Sequence, residues 1–295
     1  MQQVLFEGLA TALVTPFVDG SVNGPMVDLL IRRQILAGVP AVVLAGTTGE
    51  SPTLSDEEKL ELFRRGLRAA DGGCKLIAGT GSNDTRHAVE LSREAEKLGV
   101  DALLVVTPYY NKTTQQGLVD HYRAIAEAVS IPVIAYNVPS RTGMDLGAEA
   151  CRELARIPNL AGLKEAGGNL SKIAHILAEN GDLLPVYSGN DEQTVPVMAL
   201  GGKGVISVAS NVLPGEMNAL VRSALRGDYD MAALIQKKLL PLMDLLQSRV
   251  NPIPVKAVLT RLGFDVGPGR MPLAPPDEAL LERIDAFFRH WQEEP

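Results

Sequence analysis

Several things are scarce in this sequence, and each scarcity excludes a class of protein. Two cysteines, Cys74 and Cys151, occur in 295 residues, without CxxC spacing and without a histidine beside them. A disulfide framework and a thiolate metal site are therefore not expected. The two read as small buried hydrophobes of a reducing compartment. Basic residues are outnumbered, 28 Lys and Arg against 35 Asp and Glu, for a net charge of −7 and no basic run. Nucleic acid and acidic membrane surfaces are poor partners for such a chain. No uncharged run approaches the length of a membrane helix. The start, Met1-Gln2-Gln3-Val4, has no basic region, and Glu7 interrupts the first apolar stretch. A signal peptide is not expected, and the chain reads as cytoplasmic. The four histidines, His87, His121, His175 and His290, fall on separate predicted helices, and no His/Cys/Asp/Glu cluster has metal-ligand spacing. No GxGxxG follows a strand and opens a helix. Neither a metal nor a nucleotide cofactor is expected.

What is present is a repeat. Eight short apolar runs recur: Leu9–Phe17, Ala41–Gly46, Lys75–Gly81, Ala102–Pro108, Pro132–Asn137, Leu160–Ala166, Leu184–Asp191 and Gly204–Ser210. They are rich in Val, Ile, Leu and Ala and lack strict polar alternation, the mark of strands buried on both faces of a parallel sheet. Amphipathic stretches of helical period lie between them. Ser55-Asp56-Glu57-Glu58 has the form of a capping box before 59–70. Asp84-Thr85 precedes the helical stretch 86–98, which Gly99 ends. Eight strand–helix units predict a (β/α)₈ TIM barrel of roughly 220 residues; a doubly wound open sheet is the competing layout, and the even spacing favours closure. After Gly227 the stretches 228–247, 254–262 and 277–291 read as helices without strands between them. The expected organisation is a barrel over 1–226, carrying the active site, and a C-terminal helical extension over 227–295.

In such a barrel the chemistry sits at the C-terminal ends of the strands. The second run ends in Gly46-Thr47-Thr48-Gly49-Glu50-Ser51, two hydroxyls in a glycine-bracketed turn suited to a small carboxylate. It is no P-loop, because the Lys-Ser/Thr after the second glycine is missing. Lys164 interrupts the strand Leu160-Ala161-Gly162-Leu163. Poorly solvated in a barrel mouth, it would favour its neutral amine and could condense with a ketone; the other reading is a lysine that snorkels outward or pairs with Glu165. Glu165, adjacent on the strand, should face the helices instead. Tyr136 ends the neighbouring strand and could carry protons, or it could be a core residue with a wet tip. Arg141, in the loop that follows, has a planar fork suited to a carboxylate; a solvated loop arginine is the alternative. Gly201-Gly202-Lys203-Gly204 precedes the last strand, on the stability face, and reads as a tight turn rather than a phosphate site.

Together GTTGES at 46–51, TPYYN at 107–111, YNVPSRTG at 136–143, GLKEA at 162–166, GGKGVISV at 201–208 and NPIPVK at 251–256 resemble the dihydrodipicolinate synthase family. The resemblance covers nearly the whole chain. It implies condensation of pyruvate with L-aspartate 4-semialdehyde, on the branch leading to diaminopimelate and lysine, and a homotetramer built as a dimer of dimers. It further implies that Lys164 forms the Schiff base and that Thr47 and Thr48 hold the pyruvate carboxylate, Thr47 also relaying protons. Tyr136 would be the main proton carrier, and Arg141 would bind the semialdehyde carboxylate. Gly189 and Ile206 would line the pocket, and Tyr110 would reach into the neighbouring subunit's site. Tyr109 and Tyr110 face opposite ways if extended, so one pocket cannot take both. The sequence departs from the family's lysine-inhibited members at two effector positions, His87 in place of a glutamate and Lys59 in place of a histidine or glutamate, while Ser51, Asn83 and Tyr109 match. Related Schiff-base lyases, such as N-acetylneuraminate lyase or 2-keto-3-deoxy sugar acid aldolases, are the nearest alternative. They share the lysine and tyrosine but usually lack the second threonine and the TPYYN doublet. A silent keto-acid-binding barrel is the alternative of a different class, and an intact Lys164, Tyr136 and Thr47 argue against it.

Overall fold

The computed structural model describes residues 4–293. The chain opens with β1 (Gly8–Ala12), a small hairpin of β2 (Phe17–Val18) and β3 (Ser21–Val22), and α1 (Gly24–Leu36). It continues through β4 (Ala41–Leu44), α2 (Asp56–Ala70), β5 (Lys75–Gly79), α3 (Thr85–Leu98), β6 (Ala102–Val106), α4 (Gln115–Ala126) and β7 (Val133–Asn137). One helical turn, α5 (Pro139–Thr142), and α6 (Ala148–Leu154) lead to β8 (Leu160–Glu165) and α7 (Leu170–Asn180). The repeat closes with β9 (Val186–Ser188), α8 (Thr194–Ala199), β10 (Gly204–Ser207) and α9 (Pro214–Leu225). Then come α10 (Tyr229–Gln247), α11 (Ile253–Arg261) and α12 (Glu278–Glu293).

Eight strands form a closed barrel in the order β1-β10-β9-β8-β7-β6-β5-β4, with β4 returning to β1 and every pairing parallel. This is the expected (β/α)₈ barrel with C-terminal helices. The strands contain no polarity alternation, yet the side chains still alternate in space. Ala10, Ala12, Ala41, Val43, Ala102, Leu104, Ile134 and Ile206 fill the interior. Leu9, Leu44, Leu103, Val105, Val133 and Val205 face the helices instead. Both faces are dry, which is why the runs read as continuously apolar.

Local signals act as their chemistry requires. The capping box forms, with Glu58 N donating to Ser55 Oγ at 3.2 Å and Ser55 N donating to Glu58 Oε2 at 3.0 Å. Asp84 caps α3 and Gly99 ends it at φ 90°. Gly204 enters β10 where a Cβ would fall 1.8 Å from Gly8 O, so the glycine-rich segment before β10 is indeed a packed turn at the N-terminal end of the barrel. The first run differs from expectation. Pairing in β1 stops at Ala12, and Phe17 belongs to the β2–β3 hairpin, whose turn residues Asp19 and Gly20 both have positive φ, 48° and 77°. Asp-Gly is a strong hairpin-turn signal. Cys151 is buried and Cys74 half-buried; burial pushes their thiols up, to about 12 and about 11, so neither is a ready nucleophile. Among the described residues no helix is long and apolar enough to cross a membrane.

Candidate active site

β7 and β8 place two groups side by side. Tyr136 and Lys164 are paired in register across these strands. Lys164 Nζ lies 4.2 Å from the centroid of the Tyr136 ring. Lys164 is only 5% exposed, and no acidic group pairs with it among the described residues. Glu165, one residue on, points out of the barrel. It accepts from Asn137 Nδ2 and from Gly167 N at 2.6 Å, and pairs with Lys172 at 3.1 Å. Asp145 pairs with the same lysine. Burial opposes the charge on Lys172, but Glu165 and Asp145 hold its pKa above the ordinary value. The alternation along β8 thus sends one charge outward, fully partnered, and leaves the other inside facing a ring.

Two cavities meet at Tyr136, Val138 and Arg141. One, of about 460 Å³, is lined by Lys164, Thr48, Gly189, Asn190, Asp191, Asn251 and residues of α10. The other, of about 230 Å³, is lined by Gly46, Thr47, Ser51 and Tyr109. Adjacent residues of the turn after β4 therefore serve different cavities. Thr48 is buried and its Oγ1 accepts from Asn251 Nδ2 at 2.9 Å. A hydroxyl that accepts still has its own hydrogen to give. Arg141 is exposed, stands on the α5 turn rather than in an open loop, and donates through Nη2 to Asn251 O at 3.3 Å.

Of the residues singled out in the sequence, Lys164, Tyr136, Thr48, Arg141 and Gly189 share the larger cavity, and Thr47 lines the adjoining one. A Cβ at Gly189 would meet Ala166 Cβ at 2.6 Å, which keeps that wall close to β8. Ile206 is fully buried in the barrel interior and lines neither cavity. Tyr110 is 92% exposed and has a left-handed backbone, φ 72°. It projects to solvent while Tyr109 turns inward.

Two groups were not singled out. Asn251 bridges Thr48 and Arg141. It lies in the NPIPVK motif, but only folding brings it over the strand ends. Asp191 ends the β9 segment. Its Oδ2 accepts from Val208 N and Ala209 N at 3.0 and 2.8 Å, tying the end of β9 to that of β10, while Oδ1 is buried without a hydrogen-bond partner among the described residues. Burial, partly offset by these bonds, raises its pKa above the usual carboxylate range. Among the described residues no group of three His, Cys, Asp or Glu is arranged to hold a metal ion.

The arrangement has the parts of an amine-nucleophile site: an enclosed lysine, a phenol against it, a hydroxyl and a guanidinium. Known proteins place it in a family. The model of the dihydrodipicolinate synthetase family matches residues 5–290. A 4-hydroxy-tetrahydrodipicolinate synthase from Exiguobacterium sp. is 48% identical over 288 residues, covering 96% of this chain and 98% of the relative. Among solved structures, dihydrodipicolinate synthase from Thermotoga maritima superposes with a TM-score of 0.95 at 40% identity, covering 97% of this chain and 98% of that one. The chloride-inhibited enzyme from Acinetobacter baumannii, complexed with pyruvate, gives 0.94 at 41% identity over 96% of this chain and 98% of that one. The site and these likenesses agree, and the chain belongs to the dihydrodipicolinate synthetase family.

Proposed function

We propose that the chain is a lyase of lysine and diaminopimelate biosynthesis that condenses pyruvate with L-aspartate 4-semialdehyde to 4-hydroxy-tetrahydrodipicolinate. Relatives bearing that name at nearly half identity and full length support the reaction, as does the pyruvate held by the A. baumannii enzyme. The observation that carries it here is Lys164: enclosed, without an acid partner among the described residues, and 4.2 Å from the Tyr136 ring. An enclosed amine set against a phenol can serve as the nucleophile toward a ketone.

Lys164 Nζ adds to the ketone carbon of pyruvate, and water leaves from the carbinolamine to give a Schiff base. The pyruvate methyl then loses a proton, and the resulting enamine carbon attacks the aldehyde of the semialdehyde. The amine of that second substrate displaces Lys164 as the ring closes. Tyr136 carries protons in these steps, with Thr47 as relay. Thr48 and Thr47 hold the keto-acid carboxylate, and Arg141 holds that of the semialdehyde. Gly189 shapes the wall, and Ile206 belongs to the interior apolar cluster that backs Tyr136. The exposed, backbone-strained Tyr110 serves the site of a neighbouring subunit in a homotetramer. We take residues 1–226 as the catalytic barrel and 227–295 as an extension that adds Asn251 to the site. A cytoplasmic location suits a biosynthetic enzyme of this kind.

Pyruvate with borohydride, followed by peptide mass mapping, tests the reading. A reduced pyruvyl group on Lys164 is expected. Adduct on another lysine, or none, would overturn it.

A further inference from the structure

Glu50 and Lys256 form a closely enclosed ion pair, Nζ to Oε1 2.8 Å, with side chains 1% and 3% exposed. Neither lines the cavity that holds Lys164. The pair joins the turn after β4 to α11 across 206 positions of sequence. Lys256 Nζ also donates to Thr15 O at 3.0 Å and Pro268 O at 3.1 Å, and lies 4.4 Å from the centroid of the Phe17 ring. The second oxygen of Glu50 accepts from Arg270 N at 2.8 Å. Both charges are saturated with partners.

Burying such a pair adds little stability over apolar groups of the same shape, so its use lies in what it orients. Glu50 closes the threonine turn: its N donates to Thr47 O at 3.1 Å. Its φ is 58°, and Ala45, at the other end of the turn, has φ 51°. Two non-glycine residues in the left-handed region persist only where their surroundings hold them. Gly49 O, between them, accepts from Thr15 Oγ1 at 2.6 Å, and Thr15 is the same residue whose carbonyl Lys256 engages. Lys256 therefore grips the turn twice, directly through Glu50 and indirectly through Thr15.

We infer that the Glu50–Lys256 pair positions the keto-acid carboxylate site, holding the Thr47–Thr48 turn from behind and making α11 a working part of it. The inference rests on the proposed function and adds two positioning residues to it.

The test uses Glu50→Gln, Lys256→Met and Thr15→Val. The last deletes only the bond to Gly49 O and leaves the ion pair intact, so it decides the question should the first two misfold. Arg65→Met is the structural control; it breaks the two-pronged pair with Asp28 that joins α1 to α2, at 2.8 and 2.7 Å. Three quantities are read: the pyruvate concentration that half-saturates borohydride trapping on Lys164, KM for the semialdehyde, and Tm. Half-saturation by pyruvate should rise about tenfold in Glu50→Gln and Lys256→Met, the worth of one misplaced charged hydrogen bond. Thr15→Val should give a smaller rise, about threefold, as for one neutral bond. The semialdehyde KM should hold within about threefold. The control should lower Tm without moving half-saturation. Unchanged half-saturation in the variants would overturn the inference, as would an equal rise in the semialdehyde KM or in the control. No adduct in the parent protein would instead remove the proposed function beneath it.

Discussion

Lys164 Nζ stands over the ring of Tyr136, 4.2 Å from its centroid, because their α-carbons are paired across β7 and β8 and both side chains alternate inward. The π-face attracts an ammonium but supplies no counter-charge. The amine is thus held in place, and among the described residues no carboxylate pairs with it.

Tyr136→Phe separates the ring from its proton. The ring keeps its packing and its contact with Lys164, so Tm should change little. Loss of the phenol should lower kcat by about a hundredfold to ten-thousandfold, the usual range for a general acid–base group. Steady-state rates and a thermal melt check this; a variant within a few-fold of the parent would leave Tyr136 as a packing residue.

Arg141→Ala should separate the two substrates. Among the described residues its guanidinium makes one hydrogen bond, to Asn251 O at 3.3 Å, so its fork remains available. KM for the semialdehyde should rise roughly tenfold or more, while pyruvate trapping on Lys164 is nearly unchanged. Equal loss of both would make Arg141 structural, acting through Asn251 and Thr48.

Tyr110→Phe should lower turnover with the fold intact, since the residue is 92% exposed. Mixing Tyr110→Phe subunits with Lys164→Ala subunits should restore some activity by forming sites with Lys164 from one chain and Tyr110 from another. Exchange demonstrated by mass spectrometry with no recovered activity would refute a shared site.

L-lysine should inhibit this enzyme weakly or not at all. Asp56 is the carboxylate that could have compensated for His87 and Lys59, but both already engage it: His87 Nε2 at 2.7 Å and Lys59 Nζ at 3.4 Å. Burial works against the Asp56 charge, yet the His87 bond and Lys59 hold its pKa low. A ligand carrying two ammonium groups would have to displace His87 from Asp56 and approach the Lys59 ammonium, losing about one to two decades of affinity. Initial rates against lysine concentration decide it; strong inhibition at sub-millimolar lysine contradicts the charge argument.

Acid should destabilise the fold through His121. This ring is 4% exposed, bonds Thr85 Oγ1 through Nδ1 at 2.9 Å, and has a buried Nε2 with no hydrogen-bond partner among the described residues. Burial lowers its pKa from 6.5 to about 4. The unfolded chain then binds the extra proton first, so stability is full above the ordinary value and is lost as pH falls toward 4. The loss is on the order of 3 kcal/mol across that window. His121→Gln keeps an acceptor for Thr85 and should flatten the limb between pH 6.5 and 4, read as Tm against pH.

The sequence by itself determined the local elements and their order. Buried parallel strands need apolar runs, helix ends need Ser55, Asp84 and Gly99, and the barrel rule then assigns chemistry to strand ends, which makes Lys164, Tyr136 and the threonine pair legible. It also carried the Asp19-Gly20 turn signal for the hairpin that splits the first run. What only tertiary structure decided is whatever depends on distance through space. Thr47 and Thr48 are neighbours in the chain yet line different cavities, because the left-handed residues at Ala45 and Glu50 turn the backbone between them. Asn251 reaches Thr48 across 203 positions, and Lys256 reaches Glu50 across 206. No periodicity or spacing encodes those contacts. They arise when the C-terminal helices fold over the barrel mouth and the desolvated charges and amides must find partners there.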